Sequence, residues 1–88
     1  MSLESFKKML ANYDDEVDFF YHKMSYEIIK EKRGGGKIRI VVNRNFDDPH
    51  CKYKIEVDEG ANFVDNLVNA KILDGGKSIA QAQAEIEL

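Results

Sequence analysis

One short segment of the chain gathers residue types that can carry out chemistry. Residues 47–51 read Asp-Asp-Pro-His-Cys, which brings two carboxylates, an imidazole and a thiol together. These groups bind transition metals, and a cysteine beside a histidine can form a thiol nucleophile. Two features favour a simpler interpretation. Asp-Asp-Pro is typical of a turn, and Cys51 continues an alternating pattern that predicts a buried, unreactive thiol.

A second segment, Gly75-Gly76-Lys77-Ser78, has the ending of a phosphate-binding loop. That motif requires a glycine five positions before Gly76, where this chain has Lys71. The segment is better explained as the end of one helix followed by an N-cap at Ser78. We therefore predict no catalytic residue, no metal site and no cofactor, and we expect a protein that is not an enzyme.

Basic residues are concentrated in the middle of the chain. Residues 30–54 hold eight basic and three acidic side chains, a net charge of +5, whereas the rest of the chain holds five and thirteen, a net charge of −8. A glycine loop at 34–36 lies among them, and its amide groups can bind phosphate. The candidate basic patch consists of Lys32, Arg33, Lys37, Arg39, Lys52 and Lys54.

The composition sets the class of protein. With 88 residues, 43% of them hydrophobic, the chain is expected to form one domain over residues 1–88. No apolar run reaches the ~18 residues of a membrane span, and the first residues do not form a secretory signal. A single cysteine is typical of a reducing compartment, so we expect a cytoplasmic protein.

Hydrophobic periodicity predicts the elements that must position these residues. A helix over residues 2–11, capped by Ser2, precedes four stretches with the two-residue period of strands. The stretches are Val17–Tyr21, Tyr26–Glu31, Ile38–Val42 and Cys51–Val57. Helices are predicted over 62–70 and 78–86. A strand within 78–88 remains an alternative, but its Ala, Gln and Glu residues favour helix.

This order predicts an α+β fold, in which an antiparallel four-stranded sheet has helices packed on one face in the order α-β-β-β-β-α-α. The other face then carries Phe20, Ile29 and Val41, which form the candidate interaction patch. Apolar side chains on an uncovered face are typical of a docking surface. We predict a two-fold homodimer with these three residues at its centre.

The chain resembles short α+β proteins of Gram-positive bacteria and of their phages and mobile elements. The likeness lies in the aromatic hairpin over residues 17–28 and in the junction Ala70-Lys71-Ile72-Leu73-Asp74-Gly75-Gly76-Lys77-Ser78. In those proteins a first helix leads into such a hairpin, and a helix, an AKI-DGKS junction and a final helix end the chain. The resemblance implies a bacterial protein with this fold and no known activity, and it carries over no catalytic residue.

These observations predict a non-catalytic accessory module that binds a protein partner or itself. The alternative is a small nucleic-acid-binding or regulatory factor that uses the basic region of residues 30–54. A pI near 5.3 and the absence of aromatic residues at the tip of the glycine loop favour the first hypothesis. Binding to nucleic acid would weaken steeply with salt, whereas an interface led by Phe20, Ile29 and Val41 would not.

Overall fold

The computed structural model describes residues 2–13, 16–44 and 50–88. The elements are α1 (Leu3–Asn12), β1 (Glu16–Tyr21), β2 (Met24–Arg33), β3 (Lys37–Arg44), β4 (His50–Asp58), α2 (Val64–Asn69), a 3₁₀ helix (Gln83–Glu85) and β5 (Ile86–Glu87). The turn predicted across Asp47, Asp48 and Pro49 lies outside the described residues, as do residues 14 and 15 of the acidic segment after α1.

The first helix forms where its capping and its apolar spacing predict it. Ser2 is the N-cap, and its side chain accepts a hydrogen bond from the backbone N–H of Ser5 at 3.4 Å. Phe6 and Leu10 are fully buried, because a separation of four residues places both side chains on the same face of the helix. This face anchors α1 to the sheet.

The strands form one antiparallel sheet in the order β4-β3-β2-β1-β5. The four predicted strands are present, and β5 adds a fifth that pairs with the end of β1. Burial alternates strictly along β1, where Val17, Phe19 and Tyr21 face the core. Consecutive hairpins therefore bring one apolar face of the sheet together.

The two hairpin turns that the structure describes use left-handed backbone conformations. The turn between β1 and β2 consists of His22 and Lys23, whose φ angles are 49° and 68°. Two positive φ angles match the right-handed twist of paired strands, although Asn-Gly is the usual sequence for such a turn. Between β2 and β3, Gly35 and Gly36 both have φ of 74°, which confirms the predicted glycine loop.

The core lies between the sheet and the helices on one side, as the sequence predicts. The ring of Phe19 is stacked on Tyr26 with centroids 5.1 Å apart, and Phe6 of α1 meets Phe19 edge-on at 5.8 Å. Leu67 and Val68 of α2 belong to the same cluster. Neither helix of the described residues has the length and hydropathy needed to cross a membrane.

The helix predicted over residues 78–86 is wrong. Ser78 and Gln81 do form a reciprocal capping pair, with hydrogen bonds of 2.9 and 3.1 Å. Only one helical turn follows, closed by the hydrogen bond from Ala82 N–H to the Ser78 carbonyl. The chain then passes through the 3₁₀ helix into β5, where Ile86 pairs with Tyr21. The described residues thus hold two α-helices and five strands, not three helices and four strands.

The predicted burial of Cys51 is also wrong, because Cys51 is exposed. Val42 pairs with Tyr53, but the next residue, Asn43, pairs with Cys51, so Lys52 is the extra residue of a β-bulge. A bulge reverses the alternation of side chains beyond it. Cys51 therefore shares a face with Asn43 instead of pointing into the core with Tyr53.

Candidate functional site

The side of the sheet away from the helices is called here the open face. It carries a row of residues with an apolar centre and opposite charges at its two ends. Glu16 of β1 lies opposite Ile29 of β2, Ile29 lies opposite Val41 of β3, and Val41 lies opposite Lys54 of β4. The row across four strands is thus acidic, apolar, apolar and basic. Directly opposite residues on a sheet face have Cβ atoms about 5 Å apart, so this is one continuous surface.

The adjacent rows of the open face have related patterns. Glu31 of β2 lies opposite Arg39 of β3, and Glu27 lies opposite Asn43. The Asn43 side-chain N–H donates to the Glu27 carboxylate at 3.2 Å. On both rows β2 contributes an acidic group and β3 a donor of hydrogen bonds. On the open face, acidic groups of β2 therefore lie beside hydrogen-bond donors of β3.

The three members of the candidate interaction patch share the open face but are not equally accessible. Ile29 is half-buried, and Val41 is 8% exposed although it lies outside the core cluster. Phe20 is 47% exposed and lies opposite Ser25 and Glu87. Two residues of the patch thus form one apolar contact, while Phe20 is a separate apolar spot near β5.

An acidic cluster lies at the β1 side of the open face. The carboxylates of Glu16, Asp18 and Glu27 have oxygens within 4.8 Å of one another. Asp18 and Glu27 are direct cross-strand partners, and like charges in that position destabilise a sheet. The cluster concentrates negative charge on this half of the face. The sequence pattern alone does not reveal this cluster, because only the strand register brings Glu27 opposite Asp18.

The candidate basic patch does not form a single surface. Arg39 and Lys54 lie on the open face, whereas Lys32 lies opposite Ile38 and lines a groove on the helix-covered side. Arg33 and Lys37 face each other at the end of the hairpin. Lys52 lies at the bulge. The strand alternation thus distributes the six side chains over both faces and one end of the sheet.

Several of these basic groups are paired with carboxylates of the same chain. Lys37 binds Asp58, which raises the pKa of the Lys37 ammonium above its usual value. Arg39 lies 4.0 Å from Glu56, and Lys52 lies 3.9 Å from Asp74. Exposed pairs of this kind contribute little stability, but they reduce the charge available to a polyanion. Lys54 forms no ion pair with any described residue.

Three side chains whose groups can take part in catalysis, those of Cys51, His22 and Ser78, are not brought together, and Asp47, Asp48 and Pro49 lie outside the described residues. Cys51 is exposed, and its thiol lies 3.6 Å from the backbone carbonyl of Tyr53. His22 lies at the same end of the strands but near the opposite edge of the sheet, beside β5, where its Nε2 atom is 2.7 Å from the Glu85 carboxylate. Ser78 is buried in its capping contact with Gln81. None of these three groups is adjacent to another, so they do not build a catalytic arrangement.

Comparison of the chain with models of protein families, with curated proteins and with solved structures finds no match.

Proposed function

We propose that the protein is a non-catalytic interaction module that pairs with a second copy of itself through the open face of the sheet. The observation that supports this proposal is the row Glu16, Ile29, Val41 and Lys54. Read from either end, the row keeps its apolar centre and exchanges its charges. A surface with this property is complementary to itself under two-fold rotation.

The position of the two-fold axis follows from the register. An axis parallel to the strands and between β2 and β3 places Ile29 of one copy against Val41 of the other. The same rotation places Glu16 against Lys54 of the second copy. On the neighbouring row it brings Glu31 opposite Arg39 of the second copy. Each of these contacts occurs twice in the dimer, since a two-fold interface uses the same patch on both subunits.

Electrostatic repulsion within the acidic cluster favours the binding of a positively charged partner to the open face. Asp18 and Glu27 repel each other in the isolated chain, and Glu16 adds a third negative charge beside them. A second copy places the ammonium of its Lys54 near this cluster and reduces the repulsion. Association is then favoured by opposite charges at the margin of the interface and by apolar contact at its centre, which is the usual arrangement of a protein interface.

The size of the open face indicates a weak dimer. Four strands about 4.8 Å apart and about eight residues long give roughly 500 Å² per subunit. Two such faces bury roughly 1,000 Å² in total, at the lower end of specific interfaces. We therefore expect dissociation in the range of tens of micromolar, and a monomer–dimer equilibrium instead of a permanent dimer.

The alternative of a nucleic-acid-binding factor receives less support from the geometry. A surface that tracks a phosphate backbone needs several unpaired cations on one side of the molecule. Within the candidate basic patch, Lys32 and Lys54 lie on opposite faces, and Lys37 and Lys52 are within ion-pairing distance of carboxylates. The acidic cluster on the open face would also repel a polyanion approaching Arg39 and Lys54.

The experiment is a charge exchange between the two ends of the row, followed by analytical ultracentrifugation. The wild-type protein should sediment as a mixture of the 10.1 kDa chain and a species of twice that mass. Glu16→Lys and Lys54→Glu should each shift the mixture to monomer, because each places like charges together twice. An equimolar mixture of the two variants should form a heterodimer, since lysines then face glutamates at both contacts.

A matched control separates the interface from net charge. Lys71→Glu makes the same charge change as Lys54→Glu, at an exposed position between α2 and the C-terminal segment. It should leave the equilibrium unchanged. Ile29→Asp and Phe20→Asp test the apolar part, and the register predicts the larger loss for Ile29→Asp. A wild-type protein that remains monomeric at every concentration, or a mixture of the two charge variants that does not associate, would refute the proposal.

A further inference from the structure

A groove lies on the helix-covered side of the sheet, opposite to the open face. Its volume is about 690 Å³. It is bordered by α1, by the part of the β2–β3 hairpin nearest its turn and by the loop that precedes α2. Small-molecule sites have volumes of about 300–1,000 Å³. The groove is therefore large enough for a ligand of nucleotide size.

Lysines enter this groove from two elements. Tyr26 and Ile28 of β2 are buried in the core, and the alternation of the strand places Lys30 and Lys32 on the same side. Lysine on the covered side of a sheet is unusual, because its charge must remain hydrated. Lys7 and Lys8 of α1 line the groove from the other side. The four residues are called here the lysine groove.

Most of this positive charge is not neutralised by the residues that the structure describes. Lys7 is paired with Asp65 at 3.1 Å, and this contact lowers the pKa of the Asp65 carboxyl. The Lys30 ammonium lies 4.5 Å from the centre of the Tyr13 ring, so it is held by an aromatic face. Lys8, Lys30 and Lys32 form no ion pair with a described residue. Among the described residues that line the groove, Glu59 is the one acid besides Asp65.

The groove also has an apolar wall. Ile38 and Phe63 are each 5% exposed and line it beside the lysines. Ala11 and Val64 extend this wall on the helix side. Cationic groups beside an apolar surface match a ligand that carries a compact anion on a flat, weakly polar body. Three unpaired ammonium groups suit a dianion better than a single carboxylate, because a phosphate accepts hydrogen bonds on three oxygens.

We propose that the lysine groove binds a small organic phosphate, with the phosphate among Lys8, Lys30 and Lys32 and the flat part of the ligand against Ile38 and Phe63. This site lies on the face opposite to the proposed dimer interface, so either proposal can fail without the other. Binding here would also connect α1 to the tip of the β2–β3 hairpin, which Lys30 and Lys32 approach.

The test is a titration of the ¹⁵N-labelled protein with adenosine monophosphate, adenosine and inorganic phosphate, followed by amide chemical shifts. Adenosine monophosphate should cause saturable shifts at residues of the groove with a dissociation constant below about 1 mM. Adenosine and inorganic phosphate should each bind at least about tenfold more weakly, because each supplies only half of the contacts.

Charge-removing variants decide the location. Lys32→Met should weaken binding of adenosine monophosphate about tenfold, and Lys30→Met should weaken it at least as much. Lys32 is exposed, so its substitution tests the site even where loss of the Lys30–Tyr13 contact perturbs the fold. Lys71→Met is the matched control and should bind as the wild type does. Shifts that never saturate, or an equal loss in Lys71→Met, would overturn the proposal.

Discussion

The hydroxyl of Tyr13 is buried without a hydrogen-bond partner among the described residues. The ring of Tyr13 packs against Phe63 and contacts the Lys30 ammonium, so its aromatic part makes favourable contacts. A buried hydroxyl without a partner costs about 1–3 kcal/mol of desolvation. The ring thus stabilises the fold while its polar atom opposes it.

We therefore predict that Tyr13→Phe keeps the fold and raises the free energy of unfolding at pH 7 by up to about 1 kcal/mol. Urea unfolding measures this change. The same experiment at alkaline pH tests the ionisation. Burial raises the pKa of Tyr13 to about 12 from its usual value of 10.0. The unfolded chain therefore loses this proton at a lower pH than the folded protein does. The ionisation of Tyr13 costs no stability below pH 10, and the free energy of unfolding falls as the pH rises from 10 towards 12.

The alkaline comparison gives the variant a second signature. Phenylalanine does not ionise, so the stability of Tyr13→Phe should decline less between pH 10 and pH 12 than that of the wild type. Absorbance at 295 nm should show one fewer late-titrating tyrosine in the folded variant. A variant that is less stable at pH 7 would instead reveal that the hydroxyl has a partner.

The glycine loop between β2 and β3 sets a requirement at two of its three positions. Gly35 and Gly36 have φ of 74°, whereas Gly34 does not have a positive φ. A Cβ atom at any of the three would lie in open space, so only the backbone conformation opposes substitution. Replacing both Gly35 and Gly36 by alanine should lower the free energy of unfolding by about 2 kcal/mol.

Gly34→Ala is the matched control for the loop. It should leave the thermal midpoint unchanged or raise it slightly, because alanine reduces the freedom of the unfolded chain. Thermal unfolding followed by circular dichroism measures all three proteins. Equal effects of Gly34→Ala and of the double variant would show that positive φ is not what the loop requires.

At the C-terminal segment the small strand β5 fixes a buried side chain. Ile86 is 3% exposed, whereas the nearby Leu88 is 66% exposed. Ile86→Ala should cost about 2–4 kcal/mol, since it leaves a cavity in the core. Leu88→Ala should change stability by less than about 0.5 kcal/mol. Chemical unfolding of both variants tests this difference, and two equal, small losses would place Ile86 outside the core.

The same segment shows where prediction from the sequence ends. Strands β1 to β4 and helix α1 follow from their periodicity, because each contains its own apolar pattern. The helix predicted over 78–86 rests on local signals that do exist, namely the Ser78 cap and its Gln81 partner. Its continuation is prevented by the pairing of Ile86 with Tyr21, a residue far away in the sequence. Helix propensity contains no information about such a partner.

The open face illustrates the same limit. Phe20, Ile29 and Val41 are placed on one side by alternation alone, and the structure shows that they share that side. Their neighbours depend on register, which alternation does not give. The row from Glu16 to Lys54 needs three successive strand pairings to be known. The exposed position of Cys51 depends on a single extra residue in β4, for which the sequence carries no clear signal.

At the scale of the whole molecule, the sheet separates charge on its open face. The β1 side holds the acidic cluster of Glu16, Asp18 and Glu27, and the β4 side ends in Lys54. Raising the salt concentration from 0.05 M to 0.5 M should weaken the proposed dimer by only a few-fold. Exposed ion pairs are screened in that range, whereas the contact between Ile29 and Val41 is not.

Sedimentation at a series of salt concentrations measures this dependence. A loss of a hundredfold or more would mean that charge alone holds the two copies together, which contradicts the central apolar contact. No change at all would mean that Glu16 and Lys54 do not face each other across the interface. The expected intermediate result also differs from the steep dependence of a nucleic-acid-binding protein.

The order of strands in the sheet has a consequence for how fast the native state forms and decays. Strands β1 to β4 pair with one another in the order of the sequence, whereas β5 returns from the far end of the chain to β1. Contacts between neighbours in sequence form early in folding, and distant ones form late. We therefore expect the meander to assemble first and β5 to dock after the rate-limiting step. A late contact of this kind governs the unfolding rate and leaves the refolding rate nearly unaltered. The lifetime of the folded protein would then depend largely on two paired residues at its C-terminal end.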